Sequence, residues 1–213
     1  MQILYSKEAM KKVNEKNLTL LQKVEKTHPH LIFLYLALIG SSVLFLFLVF
    51  VFMTSLYQHT NNLQMPFFFG LSTVFLLFCS FFIKKTKINF EKDQQNELRK
   101  NLGLTLLFGL GFVFSQFLAW QQMEKLGIIF TGKASNSYVY VLTAIHILHL
   151  LVGLFFTAVY FAKITKNYQD PVEMLLLFSN KYEGIKLQML RNYWHFLDII
   201  WLIVVITLFV ITI

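Results

Sequence analysis

Apolar residues fill five long runs along the chain, and charged residues are largely confined to the segments between them. A helix needs about 20 apolar residues to cross a bilayer, and each run reaches or approaches that length. The weak alternation of membrane β-strands is absent, so the pattern predicts an all-α fold, a polytopic membrane bundle of five helices. The predicted spans are about residues 31–56, 66–83, 102–120, 138–162 and 193–213, which together make residues 31–213 a transmembrane domain.

The distribution of lysine and arginine predicts how this bundle is oriented. Of the 19 basic residues, six fall in residues 1–30, six in 84–100 and five in 163–191. The segment between the third and fourth spans holds only Lys125 and Lys133. Because basic segments stay on the cytoplasmic side, we expect the N-terminus in the cytoplasm and the C-terminus outside.

Composition supports a membrane protein and excludes some other classes. Hydrophobic residues make up 56% of the chain and charged residues 14%, whereas soluble domains carry about a quarter charged residues. The net charge of +8 does not indicate nucleic-acid binding, because the basic residues flank apolar spans. The single cysteine, Cys79, lies in an apolar run and cannot form an internal disulfide. We expect a multi-pass membrane protein.

Residues 1–30 form a basic amphipathic segment before the first span. They are lysine-rich and lack the short apolar core of a cleavable signal peptide. Their apolar residues fall near helical spacing, at Met10, Val13, Leu20, Leu21 and Val24. The segment is interpreted as a helix on the anionic inner leaflet, with docking on a partner subunit as the alternative.

The fourth span carries a stripe of polar and small residues, which are Thr143, His146, His149, Gly153 and Thr157. Steps of three and four place them on one helix face, which we expect to contact protein and not lipid. Two histidines suggest a metal or haem site. However, His149 lies about 20 Å from the cytoplasmic end of its helix and His195 only about 3 Å from the end of the fifth, so they cannot share an ion. Packing and hydrogen bonding explain the stripe better than metal binding.

The fifth span begins with an imidazole and a carboxylate, His195 and Asp198, one turn apart. A charge inside hydrocarbon is costly and indicates a partner or a function. Asp198 is interpreted as a structural pair at a subunit interface, with Arg191, His195 or a neighbouring helix as partner. A proton relay and a lipid-headgroup contact are the alternatives. Trp194 is expected near the cytoplasmic interface, where indoles settle, and Trp201 lies seven residues further on.

Polar and small residues in the first and third spans also predict contacts between helices. Gln116 and His146 stand at matching depths, about 21 and 24 Å up their helices, so a hydrogen bond can join them if these spans are neighbours. Gly40 and the two serines that follow it permit close helix approach. No nucleophile with an adjacent base, phosphate loop or Cys-His cluster is present, so no catalytic residue is predicted.

Four segments together resemble subunit III of the haem-copper cytochrome oxidases. The fourth span reads Ile145-His146-Ile147-Leu148-His149-Leu150-Leu151-Val152-Gly153, like that family's double-histidine motif, and the fifth reads Tyr193-Trp194-His195-Phe196 with Asp198 and Trp201. The third ends in the family's Gln-then-aromatic pattern at Gln116 and Trp120, and residues 38–45 resemble its first core helix. Five helices resemble the short bacterial form, which implies a multi-pass protein of the bacterial cytoplasmic (inner) membrane. The resemblance covers roughly residues 30–213.

Two positions depart from this family's pattern. The family usually has a buried acid where Ser42 stands here, and often a glutamate where Ala119 stands. A proton role attached to those acids is therefore not expected in this chain, and His146 has lost two partners.

The resemblance implies an accessory subunit of a proton-pumping oxidase that takes electrons from cytochrome c or quinol. Such a chain holds no haem, copper or other cofactor, while subunits I and II carry the haem and copper. It packs on subunit I, binds phospholipids, supports proton uptake and turnover stability, and can join a respiratory supercomplex. The structural, lipid or interface candidates are Gln116, Trp120, His146, His149, Gly153, Trp194, His195, Asp198 and Trp201. An accessory protein of nitric oxide reductase and a small transporter remain alternatives.

Overall fold

The computed structural model describes residues 29–57, 66–130, 134–168 and 170–212. The basic segment predicted at residues 1–30 therefore lies almost entirely outside the described residues. Within the described part of the chain, every regular element is an α-helix. The helices are α1 Pro29–Tyr57, α2 Phe67–Glu91, α3 Gln95–Lys125, α4 Ala134–Asn167, α5 Pro171–Ser179 and α6 Lys181–Thr212.

Five of these helices are long and apolar enough to cross a membrane, which confirms the predicted number of spans. Their apolar stretches lie in α1, α2, α3, α4 and α6. The orientation of the termini stays a prediction from the charge distribution.

The helices run further than the predicted spans. The second span was expected to end near residue 83, but α2 continues through its lysines to Glu91. Similarly, α6 begins at Lys181, twelve residues before the apolar run at Tyr193. The physical reason is that hydropathy marks the hydrocarbon layer, whereas backbone hydrogen bonds continue a helix into the headgroups and water.

A short helix, α5, lies between the last two spans, where no helix was predicted. Its N-cap is Asp170, whose side chain accepts a hydrogen bond from the Val172 backbone N–H at 2.8 Å, and Pro171 follows at the first helical position. The next helix starts in the same way, with Asn180 Oδ1 accepting from the Tyr182 N–H at 2.9 Å. An Asp or Asn at the N-cap marks the start of a helix, and proline is favoured at the first helical position.

The chain divides into two compact units, Met1–Ile39 and Gly40–Ile213. Of the first unit the structure describes residues 29–39, which are helical throughout. In the second unit, α2 and α3 form the most extensive helix pair, α2 also packs on α6, and α4 packs on both α3 and α6. The core of this unit is rich in buried aromatic side chains, including Phe52, Phe69, Phe112, Trp194 and Trp201.

Candidate functional site: polar contacts between the helices

The polar stripe of α4 lies inside the bundle, as its spacing predicted. Thr143, His146 and Thr157 have no exposed surface, and Gly153 is also buried. His149 is half-buried. Buried hydroxyls and imidazoles need partners, since an unpaired polar group in an apolar interior costs several kcal/mol. The partners of this stripe therefore show which helices it joins.

All three tryptophans of the chain bind a threonine on another helix in the same way. In each pair the indole N–H donates to the threonine Oγ1 at 3.0 Å, and the threonine hydroxyl donates to a carbonyl of its own helix. The pairs are Trp120 with Thr143, Trp194 with Thr157, and Trp201 with Thr73. They join α3 to α4, α6 to α4, and α6 to α2, so one type of contact links four of the five spans.

Trp194 binds within the bundle and not to headgroups. It is completely buried and its N–H donates to Thr157, while its depth near the cytoplasmic interface stays a prediction. An indole prefers the interface because its N–H needs a partner. A buried threonine hydroxyl meets that need here, and the motif position alone does not reveal it.

His146 occupies a pocket of aromatic rings and has no hydrogen-bond partner among the described residues. Its ring centroid lies 5.0 Å from that of Trp201 and 5.5 Å from that of Phe112. Gln116, at the matching depth, is also fully buried and its side-chain amide has no partner in the described part of the chain. The hydrogen bond considered between Gln116 and His146 is therefore not formed, because equal depth does not make two side chains point at each other.

His149 lies where three helices meet. Its Nδ1 lies 2.8 Å from the Ile145 carbonyl oxygen and its Nε2 lies 3.0 Å from Ser41 Oγ on α1. A carbonyl only accepts, so Nδ1–H donates to it, and Nε2 and the Ser41 hydroxyl share the second hydrogen bond. The Tyr193 hydroxyl of α6 donates to the His149 backbone carbonyl at 2.7 Å. This histidine is used for helix packing, and neither of its ring nitrogens is left for a metal.

Ser80, His195 and Asp198 form a second polar cluster, between α2 and α6. His195 Nδ1 lies 3.0 Å from Ser80 Oγ and 3.3 Å from Asp198 Oδ2. Asp198 is 7% exposed and its second oxygen has no partner among the described residues, while the His195 side chain is 37% exposed. Of the partners proposed for Asp198, the structure pairs it with His195, and Arg191 instead donates to Asn192.

Glu183 forms an ion-pair cluster that the sequence reasoning missed. Its Oε1 lies 2.9 Å from Lys163 Nζ of α4 and 2.8 Å from Lys186 Nζ of its own helix. Glu183 is 3% exposed. The sequence signal was weak, because only the i, i+3 spacing of Glu183 and Lys186 was visible and the contact with α4 depends on the fold.

Close helix approach occurs at Gly153, as expected, but not at Gly40. A Cβ atom at Gly40 would contact nothing within 4 Å among the described residues. At Gly109 of α3 it would lie 2.6 Å from Leu154 Cδ2, and at Gly153 of α4 it would lie 3.1 Å from Tyr193 Cε1. These glycines bring α3 close to α4 and α4 close to α6.

Metal-binding side chains do not converge in the described residues. No group of three His, Cys, Asp or Glu there is arranged to hold an ion, and Cys79 is buried with its thiol 3.4 Å from the Thr105 carbonyl oxygen. The chemistry of the site is hydrogen bonding and ion pairing between helices. That the chain binds no metal in solution stays a prediction.

The family model described as "Cytochrome c oxidase subunit III" matches residues 57–213, which include α2, α3, α4 and α6. The chain belongs to the cytochrome c oxidase subunit III family. The match confirms the family suggested by the double-histidine and Tyr-Trp-His-Phe motifs. Residues 38–45, which resemble the family's first core helix, precede the matched range.

Curated relatives carry the same family name. The chain is 28% identical over 130 residues to "Probable cytochrome c oxidase subunit 3" of Mycobacterium leprae, covering 61% of this chain and 59% of that protein. It is 28% identical over 134 residues to "Cytochrome bo(3) ubiquinol oxidase subunit 3" of Buchnera aphidicola, covering 63% and 64%. It is 27% identical over 147 residues to "Cytochrome c oxidase subunit 3" of Thermostichus vulcanus, covering 67% and 65%. The chain thus spans less than two thirds of the length of these relatives.

Proposed function

We propose that this subunit III family member is an accessory subunit of a proton-pumping haem-copper terminal oxidase in the bacterial cytoplasmic membrane. In this role it packs on subunit I, within a complex that also contains subunit II, and has no redox centre of its own. It holds phospholipid and supports proton uptake and stability during turnover. The family match supports membership of an oxidase complex.

The observation that carries the packing proposal is the location of His195. Its partly exposed ring shares the outward face of α6 with Ile199, Leu202 and Ile206, which are exposed apolar residues. An imidazole that is bonded to a buried carboxylate is poorly accommodated by lipid tails, and polar groups in spans normally face protein or water. We therefore place the contact with subunit I on this face of α6.

Copurification tests this proposal. The tagged chain, expressed in its native host, is purified in mild detergent, and its haem spectrum and bound peptides are determined. We expect haem-copper subunit I to copurify, and His195→Ala to reduce its yield. Phe155→Ala, an exposed position on α4, serves as the control. A colourless chain without subunit I contradicts the oxidase role, and equal yields from both variants contradict the proposed contact face.

The same experiment distinguishes the alternatives. Relatives named as subunits of cytochrome c oxidases and of a ubiquinol oxidase both match, so the electron donor is left open here. Copurification with the catalytic subunit of a nitric oxide reductase indicates the accessory role in that enzyme. A small transporter would need polar groups converging near the middle of the bilayer, whereas the hydrogen-bonded groups described above join neighbouring helices in pairs.

A further inference from the structure

The short helix α5 has two opposite apolar faces, only one of which is covered by the described part of this chain. Met174 and Leu177 are buried against the bundle. On the opposite side, Val172 is 65% exposed, Leu175 71% and Leu176 63%. At 100° per residue these three side chains form one continuous face, with no charged residue between them. Large apolar side chains grouped in this way indicate a surface that is covered in the functional protein.

The connections of α5 hold it close to the bilayer. Only residues 168–170 separate it from α4, and only Asn180 separates it from α6. Its Phe178 ring packs on Phe90 near the end of α2, with the ring centroids 5.2 Å apart. The apolar part of α2 ends at Ile83, before Lys84 and Lys85, so Phe90 lies seven residues, or about 10 Å along the helix, beyond the predicted span, at the outer edge of the headgroups.

The charges around α5 suit an anionic surface. Exposed lysines lie on both sides of it in the chain, at Lys166 and Lys181, while Lys163 is held by Glu183. Its own acidic groups, Asp170 and Glu173, are at its N-terminal end, and Asp170 is used as the N-cap. Short helices with an apolar face and basic flanks lie in the headgroup region with that face directed to the acyl chains.

From these observations we propose that α5 is an interfacial anchor, whose Val172, Leu175 and Leu176 enter the lipid of the adjacent leaflet. The occupant of this face is phospholipid at the boundary between headgroups and acyl chains. The anchor would hold the connection between α4 and α6 flat on the membrane. This inference needs only that the chain spans a bilayer, so it stands or fails independently of the oxidase role.

Fluorescence quenching in vesicles tests the anchor. The full chain with Cys79→Ser and Leu175→Cys is labelled with an environment-sensitive fluorophore and reconstituted in phosphatidylcholine with phosphatidylglycerol. Gln94→Cys, at the exposed turn between α2 and α3, is the matched control. We expect a nitroxide at the top of the lipid acyl chain to quench the label at position 175 several-fold more than the label at 94, and aqueous iodide to do the reverse.

Two results would overturn the proposal. Equal iodide quenching at positions 175 and 94 would mean that α5 faces water. A label at 175 that lipid nitroxide never quenches, and that only copurified partner subunits shield from iodide, would mean that protein covers this face. Because Leu175 is exposed, its replacement should leave the fold intact. The thermal unfolding of the labelled variant, compared with that of Cys79→Ser alone, checks this.

Discussion

Replacing Gly153 by leucine should separate α4 from α6. A Cβ atom at this position would lie 3.1 Å from Tyr193 Cε1 and 3.5 Å from Leu197 Cδ1, so a branched side chain does not fit there. The Tyr193 ring cannot simply move aside, because its hydroxyl donates to the His149 carbonyl at 2.7 Å. Either the helices separate or this hydrogen bond is lost.

The expected cost follows from three terms. Overpacking a filled interior costs about 1–3 kcal/mol. Loss of the Tyr193 hydrogen bond adds about 1 kcal/mol. Leucine has a higher helix propensity than glycine, which stabilises the helix by up to about 1 kcal/mol. The net expectation is a destabilisation of about 1–4 kcal/mol, large enough to lower the melting temperature by several degrees.

Thermal unfolding in one detergent measures this cost, and Gly70→Leu provides the control. Gly70 lies in the α2 span and is exposed, and a Cβ atom added there would meet nothing within 4 Å. Both variants add the same apolar group and gain the same helix propensity, so their difference isolates the packing at Gly153. Equal melting temperatures for the two variants would refute a close α4–α6 contact.

Three further predictions test other contacts. Trp194→Phe removes the buried N–H that Thr157 accepts and should cost about 1–2 kcal/mol of stability, measured by thermal unfolding; an unchanged melting temperature would contradict that hydrogen bond. Glu183→Gln should also destabilise the chain, by about 1–3 kcal/mol, because two lysines lose their carboxylate partner; high salt should weaken the wild type but not the variant. Cysteine labelling from outside intact cells should reach Asn61→Cys but not Gln94→Cys, and the reverse would contradict the predicted orientation.

Hydropathy was sufficient to predict the number of spans, because an apolar run of this length has few stable structures besides a membrane helix. It did not predict α5, whose nine residues are too few to span and whose apolar residues occupy two faces. The cap residues Asp170 and Asn180 were the available signals for this helix and for the start of α6. Hydropathy did not predict the helix ends, because it falls where the lipid ends, whereas the backbone hydrogen bonds of a helix continue beyond that point.

Periodicity predicted which residues of α4 face inward but not which partners they meet. Steps of three and four fix the face of one helix, whereas a hydrogen bond also depends on how far the neighbouring helix is rotated and shifted. His146 and Gln116 show the limit, since both are buried at similar depth and neither binds the other. The Trp194–Thr157 pair shows the converse, since two separate spans supply the two halves of one contact.

The same limit applies to Asp198, because the role proposed for it involves a partner outside this chain. Within the chain one carboxylate oxygen accepts from His195 and the other has no partner among the described residues. A single buried carboxylate does not form a proton path across a membrane, because transfer over tens of ångströms needs a series of groups. Another buried acidic group, Glu183, is held by two lysines and lies fifteen positions earlier in α6, about 22 Å away along the helix axis.

Asp198→Asn keeps the shape of the side chain and removes its charge, so it distinguishes pairing from packing. We expect the His195 contact to weaken, and with it either the association of this chain with subunit I or the survival of activity during prolonged turnover. The initial rate of oxygen reduction should be mostly kept, since no reacting group has been changed. Leu197→Ala, at the buried neighbouring position, controls for a general loss of packing in α6. If the assembled Asp198→Asn oxidase loses nearly all oxygen reduction from its first turnover, Asp198 belongs to the catalytic proton route and the accessory role proposed for it is wrong.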